Sequence, residues 1–158
     1  KGDVNNLIPG DFNGDGLTDF LRQEKGAWDD DDVGTADVWL SVGNGNFNVL
    51  TPGNANYLKG DYTALSVGDF NNDGRTDFIR QERSTWDDDR LSAEIWLATG
   101  SAEFNLVVPN DPVSLAGDGT KLILGDFNGD GRMDFIRQEW GKWDDDDNVR
   151  TAELFQAK

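Results

Sequence analysis

The chain has 158 residues, enough for one domain, of which 36% are hydrophobic and 11% aromatic, and it carries a formal net charge of −17. That charge argues against nucleic acid as a partner, since phosphates reward basic patches, and no apolar run approaches the roughly 20 residues of a membrane span. The absence of Cys and His removes disulfides, thiol chemistry and the commonest general base, so something else must staple a polar, loop-rich chain.

In chain order, a strand-like segment at 6–10 leads into the loop GDFNGDGLTDF at 10–20, and TDFLRQE at 18–24 reads as a second strand. Trp28 then heads an acidic run at 29–32. TADVWL at 35–40 is a third strand with clean alternation, Ala36, Val38 and Leu40 facing one way and Asp37 and Trp39 the other. FNVL at 47–50 is the fourth. The order then restarts: 64–68, the loop GDFNNDGRTDF at 68–78, TDFIRQE at 76–82, Trp86 with acids at 87–89, SAEIWL at 92–97 and FNLVV at 104–108. A third pass gives 121–125, GDFNGDGRMDF at 125–135, MDFIRQE at 133–139, Trp143 with acids at 144–147, and TAELFQ at 151–156, with no segment left for a fourth strand.

The glycines opening the loops, Gly10, Gly68 and Gly125, lie 58 and 57 residues apart. Internal repetition at such a period reports architecture directly. Four antiparallel strands per repeat is a propeller blade, and no segment has useful helical periodicity. The expectation is an all-β fold of three propeller-type blades, the third incomplete, with a loop between strands 1 and 2 of each. The repeats fall at about 5–62, 63–119 and 120–158 of a single repeat domain, 1–158. Closed propellers usually need four to eight blades, which leaves three solutions: two chains completing a six-bladed ring, a piece of a longer propeller, or an open array.

Each loop spaces oxygen-bearing side chains around a fixed glycine. Calcium takes six to eight oxygens, and the candidates are Asp11, Asn13, Asp15 and Asp19 with the Leu17 carbonyl; Asp69, Asn71, Asp73 and Asp77 with the Arg75 carbonyl; and Asp126, Asn128, Asp130 and Asp134 with the Arg132 carbonyl. A backbone ligand explains why the fifth member varies. Gly16, Gly74 and Gly131 stand where the chain must turn sharply. The loop is not an EF-hand, because position 12 is Arg22, Arg80 or Arg137 instead of a bidentate Glu. The simplest competing account is an Asx-rich turn, which three intact copies disfavour.

At these residues the chain resembles the FG-GAP and VCBS repeats, the blades of integrin-α-like β-propellers, whose loop is D-x-[DN]-x-D-G-x-x-D. The resemblance covers nearly the whole chain. It implies that the loop joins the first two strands of a blade and holds calcium, about three ions in all, and that extracellular adhesion or carbohydrate recognition is the role. Three Ca²⁺ would bring the net charge from −17 to −11, relieving self-repulsion that opposes the compact state. Low-affinity sites suit the millimolar calcium outside cells, and a start at Lys1-Gly2 fits a processed or trimmed end, so the protein is expected to be secreted.

The Trp-Asp segments are the second recurrent feature, each Trp falling four residues after the Glu of RQE. Three readings stay open for Trp28, Asp29 and Asp30, for Trp86, Asp87 and Asp88, and for Trp143, Asp144 and Asp145: a Trp lid with a solvated acidic tip, a glycan site in which indole stacks on sugar, or a further calcium site. The RQE arginines are expected to pair with loop carboxylates or with a neighbouring blade. No catalytic residues are expected, since repeats make equivalent binding sites rather than one asymmetric active site. The leading reading is a calcium-binding extracellular recognition module, lectin-like or adhesive, with a glycan or an extracellular protein as partner. The runner-up is a protein–protein scaffold with purely structural calcium, and an enzyme accessory domain comes third.

Overall fold

The repeated short segments fold as antiparallel strands, with apolar and polar residues alternating most cleanly in the third segment of a repeat. The computed structural model describes residues 4–25, 36–53, 55–58, 63–82, 93–107, 120–139 and 152–157. The first sheet is β1 (Val4–Gly10), β2 (Asp19–Lys25), β3 (Ala36–Gly43) and β4 (Asn46–Leu50), hydrogen-bonded in that order. The second repeats it with β5 (Thr63–Gly68), β6 (Asp77–Glu82), β7 (Ala93–Ala98) and β8 (Phe104–Val107). The third contains β9 (Thr120–Gly125), β10 (Asp134–Glu139) and β11 (Ala152–Phe155), with β10 in the middle.

Every pairing is antiparallel, and the registers correspond: Gly10 faces Asp19, Gly68 faces Asp77 and Gly125 faces Asp134. Three all-β blades, the third with three strands among the described residues, match the sequence reading. The described residues form no closed ring. A 3₁₀ turn at Ala55–Leu58, which strand alternation gives no sign of, connects the first two blades and packs on β3. The β3–β4 hairpin closes through Asn44 (φ 56°) and Gly45 (φ 75°). Both residues are left-handed, as the tight turns matching strand twist require.

The blades pack face to face, and two cores lie between them. In the first, Ile8, Phe12, Leu21 and Val38 of blade one meet Phe78, Trp96, Ala98 and Phe104 of blade two. Phe12 sits edge-on to Phe104 with centroids 5.9 Å apart, and Phe104 is edge-on to Phe78 at 4.9 Å. In the second, Phe70, Ile79 and Ala93 of blade two meet Phe135, with Leu122, Leu124 and Phe155 packed around it. Because side chains alternate across a strand, blade two uses both faces: Phe78 points to blade one and Ile79 towards blade three.

The loops also join the blades. The Thr76 N–H donates to the Asp11 carbonyl at 2.6 Å, and the Met133 N–H donates to the Asp69 carbonyl at 2.7 Å. A Cβ on Gly10 would lie 2.7 Å from Thr76 Cγ2, and one on Gly68 would lie 2.6 Å from Met133 Cγ. Glycine opens the first two loops because the next blade presses on that backbone.

Candidate functional site

The three GDFN loops have one geometry, built by their own carboxylates. Asp11 Oδ1 accepts the N–H of Gly14 at 2.7 Å, and Oδ2 accepts that of Gly16 at 2.8 Å. Asn13 Oδ1 accepts the Asp15 N–H at 2.9 Å, and Asp15 Oδ1 accepts the Leu17 N–H at 2.8 Å. The second loop repeats this with Asp69 to Gly74, Asn71 to Asp73, and Asp73 to Arg75. The third uses Asp126 to Gly129 and Gly131, Asn128 to Asp130, and Asp130 to Arg132. Gly16, Gly74 and Gly131 have φ of +83°, +81° and +87°, the sharp turn expected of them. Two residues earlier in each loop stand Gly14, Asn72 and Gly129, all at positive φ. Asn is the side chain that tolerates this region best, which accounts for the one variation there.

The last Asp of each loop differs from the others. Asp19, Asp77 and Asp134 are fully buried. Their Oδ2 atoms accept the N–H of Phe12, Phe70 and Phe127 at 2.9, 3.0 and 3.1 Å. Their Oδ1 atoms accept the N–H of Ser41, Ala98 and Ala157 at 2.7, 2.8 and 2.9 Å. Each therefore ties the start of the loop to the third strand of its blade or, for Asp134, to the residue two beyond that strand's end. Burial pushes the Asp77 carboxyl up to about 6, opposed by the two N–H groups and assisted by the charges of Asp73 and Asp69. Asp19 is raised for the same reasons, burial foremost, with Asp15 and Asp11 adding to it. The stapling role leaves no mark in the sequence, since a ligand and a buried acceptor are both written Asp.

Among the described residues no three acidic side chains converge closely enough to hold a metal ion, and the loop carboxylates point at backbone N–H groups. In the second loop Arg75 Nη1 also lies 2.8 Å from Asp73 Oδ2. The donor set nonetheless has the chemistry of a hard-cation site: carboxylate, amide and carbonyl oxygens, with like charges close enough to lift the pKa of Asp77.

Each RQE arginine has an ion-pair partner within its own blade. Arg22 reaches Asp37 at 2.7 Å, Arg80 reaches Glu94 at 3.3 Å and Arg137 reaches Glu153 at 3.5 Å, each across to the third strand. Trp28, Asp29, Asp30, Trp86, Asp87, Asp88, Trp143, Asp144 and Asp145 lie outside the described residues. One further concavity, an open depression of about 450 Å³ on the first blade, is lined by Leu7, Phe20, Arg22, Trp39 and Phe47.

Comparison with known families bears on the loops. The model described as the FG-GAP-like repeat matches residues 11–79, from the first Asp of loop one to β6. This segment is similar to an FG-GAP-like repeat. The FG-GAP span covers both GDFN loops of blades one and two and all of β2 to β5 between them. Loop three lies beyond it but keeps the same hydrogen bonds. No curated protein and no solved structure matches the chain.

Proposed function

We propose that the chain is a calcium-binding extracellular recognition module built from FG-GAP-type blades, without catalytic activity of its own. The observation that carries this reading is the loop geometry, repeated three times with an all-oxygen donor set, two of the copies within the FG-GAP-like match. An FG-GAP repeat points to an interaction or adhesion type of module. Asp11, Asn13 and Asp15 with the Leu17 carbonyl would hold the ion in loop one, Asp19 closing the set, and the corresponding residues would do so in loops two and three. Bound calcium would neutralise carboxylates crowded on a chain of net charge −17 and hold the loops that join the blades.

For the ligand we take carbohydrate as the first class, on the strength of Trp28, Trp86 and Trp143, each followed by an acidic run. Indole stacks on the apolar face of a sugar while carboxylates accept from its hydroxyls, and repetition at one offset would raise avidity. A glycan array in calcium tests this, with Trp86→Ala expected to weaken the signal. Absence of any glycan signal, together with capture of a protein partner that sugars do not compete away, would replace carbohydrate with protein. Loss of metal binding on Asp73→Ala at one site of three is the corresponding test for calcium.

A further inference from the structure

The depression on blade one looks like a small-molecule pocket until it is aligned with the next repeat. Its lining residues Leu7, Phe20, Arg22, Trp39 and Phe47 correspond, position for position, to Leu65, Phe78, Arg80, Trp96 and Phe104 of blade two. That second set is the face on which blade one sits: Phe78, Trp96 and Phe104 are 0%, 4% and 5% exposed, and Leu65 packs against the same core. On blade one no described element covers the set, and Leu7 is 55% exposed.

The far face of blade three is the converse. Phe127, Ile123 and Leu154 are 46%, 41% and 51% exposed. Their counterparts Phe12, Ile8 and Val38, which blade two covers, are 1%, 8% and 0% exposed. Gln138 is exposed where Gln23 and Gln81 are buried. Among the described residues, the atoms nearest a Cβ on Gly125 are those of its own Phe127, whereas Gly10 and Gly68 are pressed by Thr76 and Met133.

We propose that these two end faces are the halves of one further blade junction, closed by a second copy of this chain. The internal junctions say what fits. Phe127 of one copy takes the place of Phe12 and packs edge-on to Phe47 of the next, as Phe12 does to Phe104. Thr18 of the incoming copy, equivalent to Thr76, donates its N–H to the Asp126 carbonyl and lies over Gly125. The Arg22–Asp37 ion pair enters as a neutral unit, as Arg80–Glu94 does at the internal junction. The contact is head-to-tail, so two copies make a ring if the curvature closes and a longer assembly if it does not.

The test is sedimentation of the whole chain from micromolar to millimolar concentration, in calcium and at physiological salt, where repulsion between −17 chains is screened beyond about 8 Å. Wild type is expected to form species of two or more chains, above the 17.5 kDa monomer. Leu7→Lys blocks the head and Leu154→Lys the tail. Both positions are exposed in the single chain, so folding is retained, and both changes reduce the negative charge, so lost association cannot come from added repulsion. Each variant alone should be monomeric, with association weakened at least tenfold. Mixed, they should form species of two chains and no larger, through the one intact head and one intact tail. A wild type that stays monomeric at every concentration overturns the proposal. So does association that survives either substitution, or a mixture that does not associate.

Discussion

Phe20 and Phe78 stand at the same place in the repeat, in the strings TDFLRQE and TDFIRQE, and differ mainly in what covers them. Phe78 is fully buried, 4.9 Å from the Phe104 ring and 6.2 Å from the Trp96 ring. Truncating a buried Phe costs about 3–5 kcal/mol through lost transfer and the cavity left behind, and the two ring contacts place Phe78→Ala at the upper end. Phe20 is half-buried, with Phe47 at 5.7 Å. Burying such a side chain completely is worth about 1.5–3 kcal/mol, so Phe20→Ala should cost about 1–2 kcal/mol. Against a domain stability of about 5–15 kcal/mol, the two variants are readily separated by urea unfolding midpoints at constant slope. Dilute protein and chelator keep the chain monomeric and metal-free. Equal losses would refute the face-to-face stacking of blades one and two, because that stacking is what makes these positions unequal.

Gly68→Ala brings a Cβ to 2.6 Å from Met133 Cγ and should destabilise by about 1–3 kcal/mol through overpacking. Gly125→Ala meets only the exposed Phe127 ring and should cost less, as thermal melts of the two variants would show. Trp96→Phe loses a 3.1 Å hydrogen bond to Glu94, about 1 kcal/mol, whereas Trp39 Nε1 has no partner among the described residues, so Trp39→Phe should lose none. In chelator, Asp77 makes folding depend on pH. Its folded pKa of about 6 lies above the ordinary 3.8, so its contribution is fully present below 3.8 and is lost as pH rises through about 6, at most roughly 3 kcal/mol. Chelated melts at pH 5 and 7 should therefore favour pH 5, and Asp77→Asn should flatten that difference; a wild-type melt independent of pH would count against it.

The strands and the blade period were legible because alternation and exact repetition are local signals. The second strand of each blade begins at Asp19, Asp77 or Asp134, one residue after the expected start, because the Asp pairs with the loop-opening Gly across the ladder. The cover over each blade was not legible. Phe12, Phe70 and Phe127 follow the same Gly-Asp pair, yet only Phe127 is exposed, since exposure is decided by the next blade and not by the residue's own neighbours. The arginines' in-blade partners were not legible for a related reason: the carboxylate lies directly opposite on the adjacent strand, Asp37 against Arg22, and pairing register is not written in the loop. Nor did the sequence separate the stapling Asp19, Asp77 and Asp134 from their loop neighbours, because only burial distinguishes them.

If the GDFN loops bind calcium, the metal should support the fold. Calorimetric titration of the chelator-stripped chain with Ca²⁺, paired with melting curves in calcium and in chelator, tests it directly. About three ions per chain are expected and, at calcium tenfold above the dissociation constant, a gain of about 1.4 kcal/mol per site, roughly 4 kcal/mol in all. No binding heat and a melting temperature indifferent to chelator would contradict it.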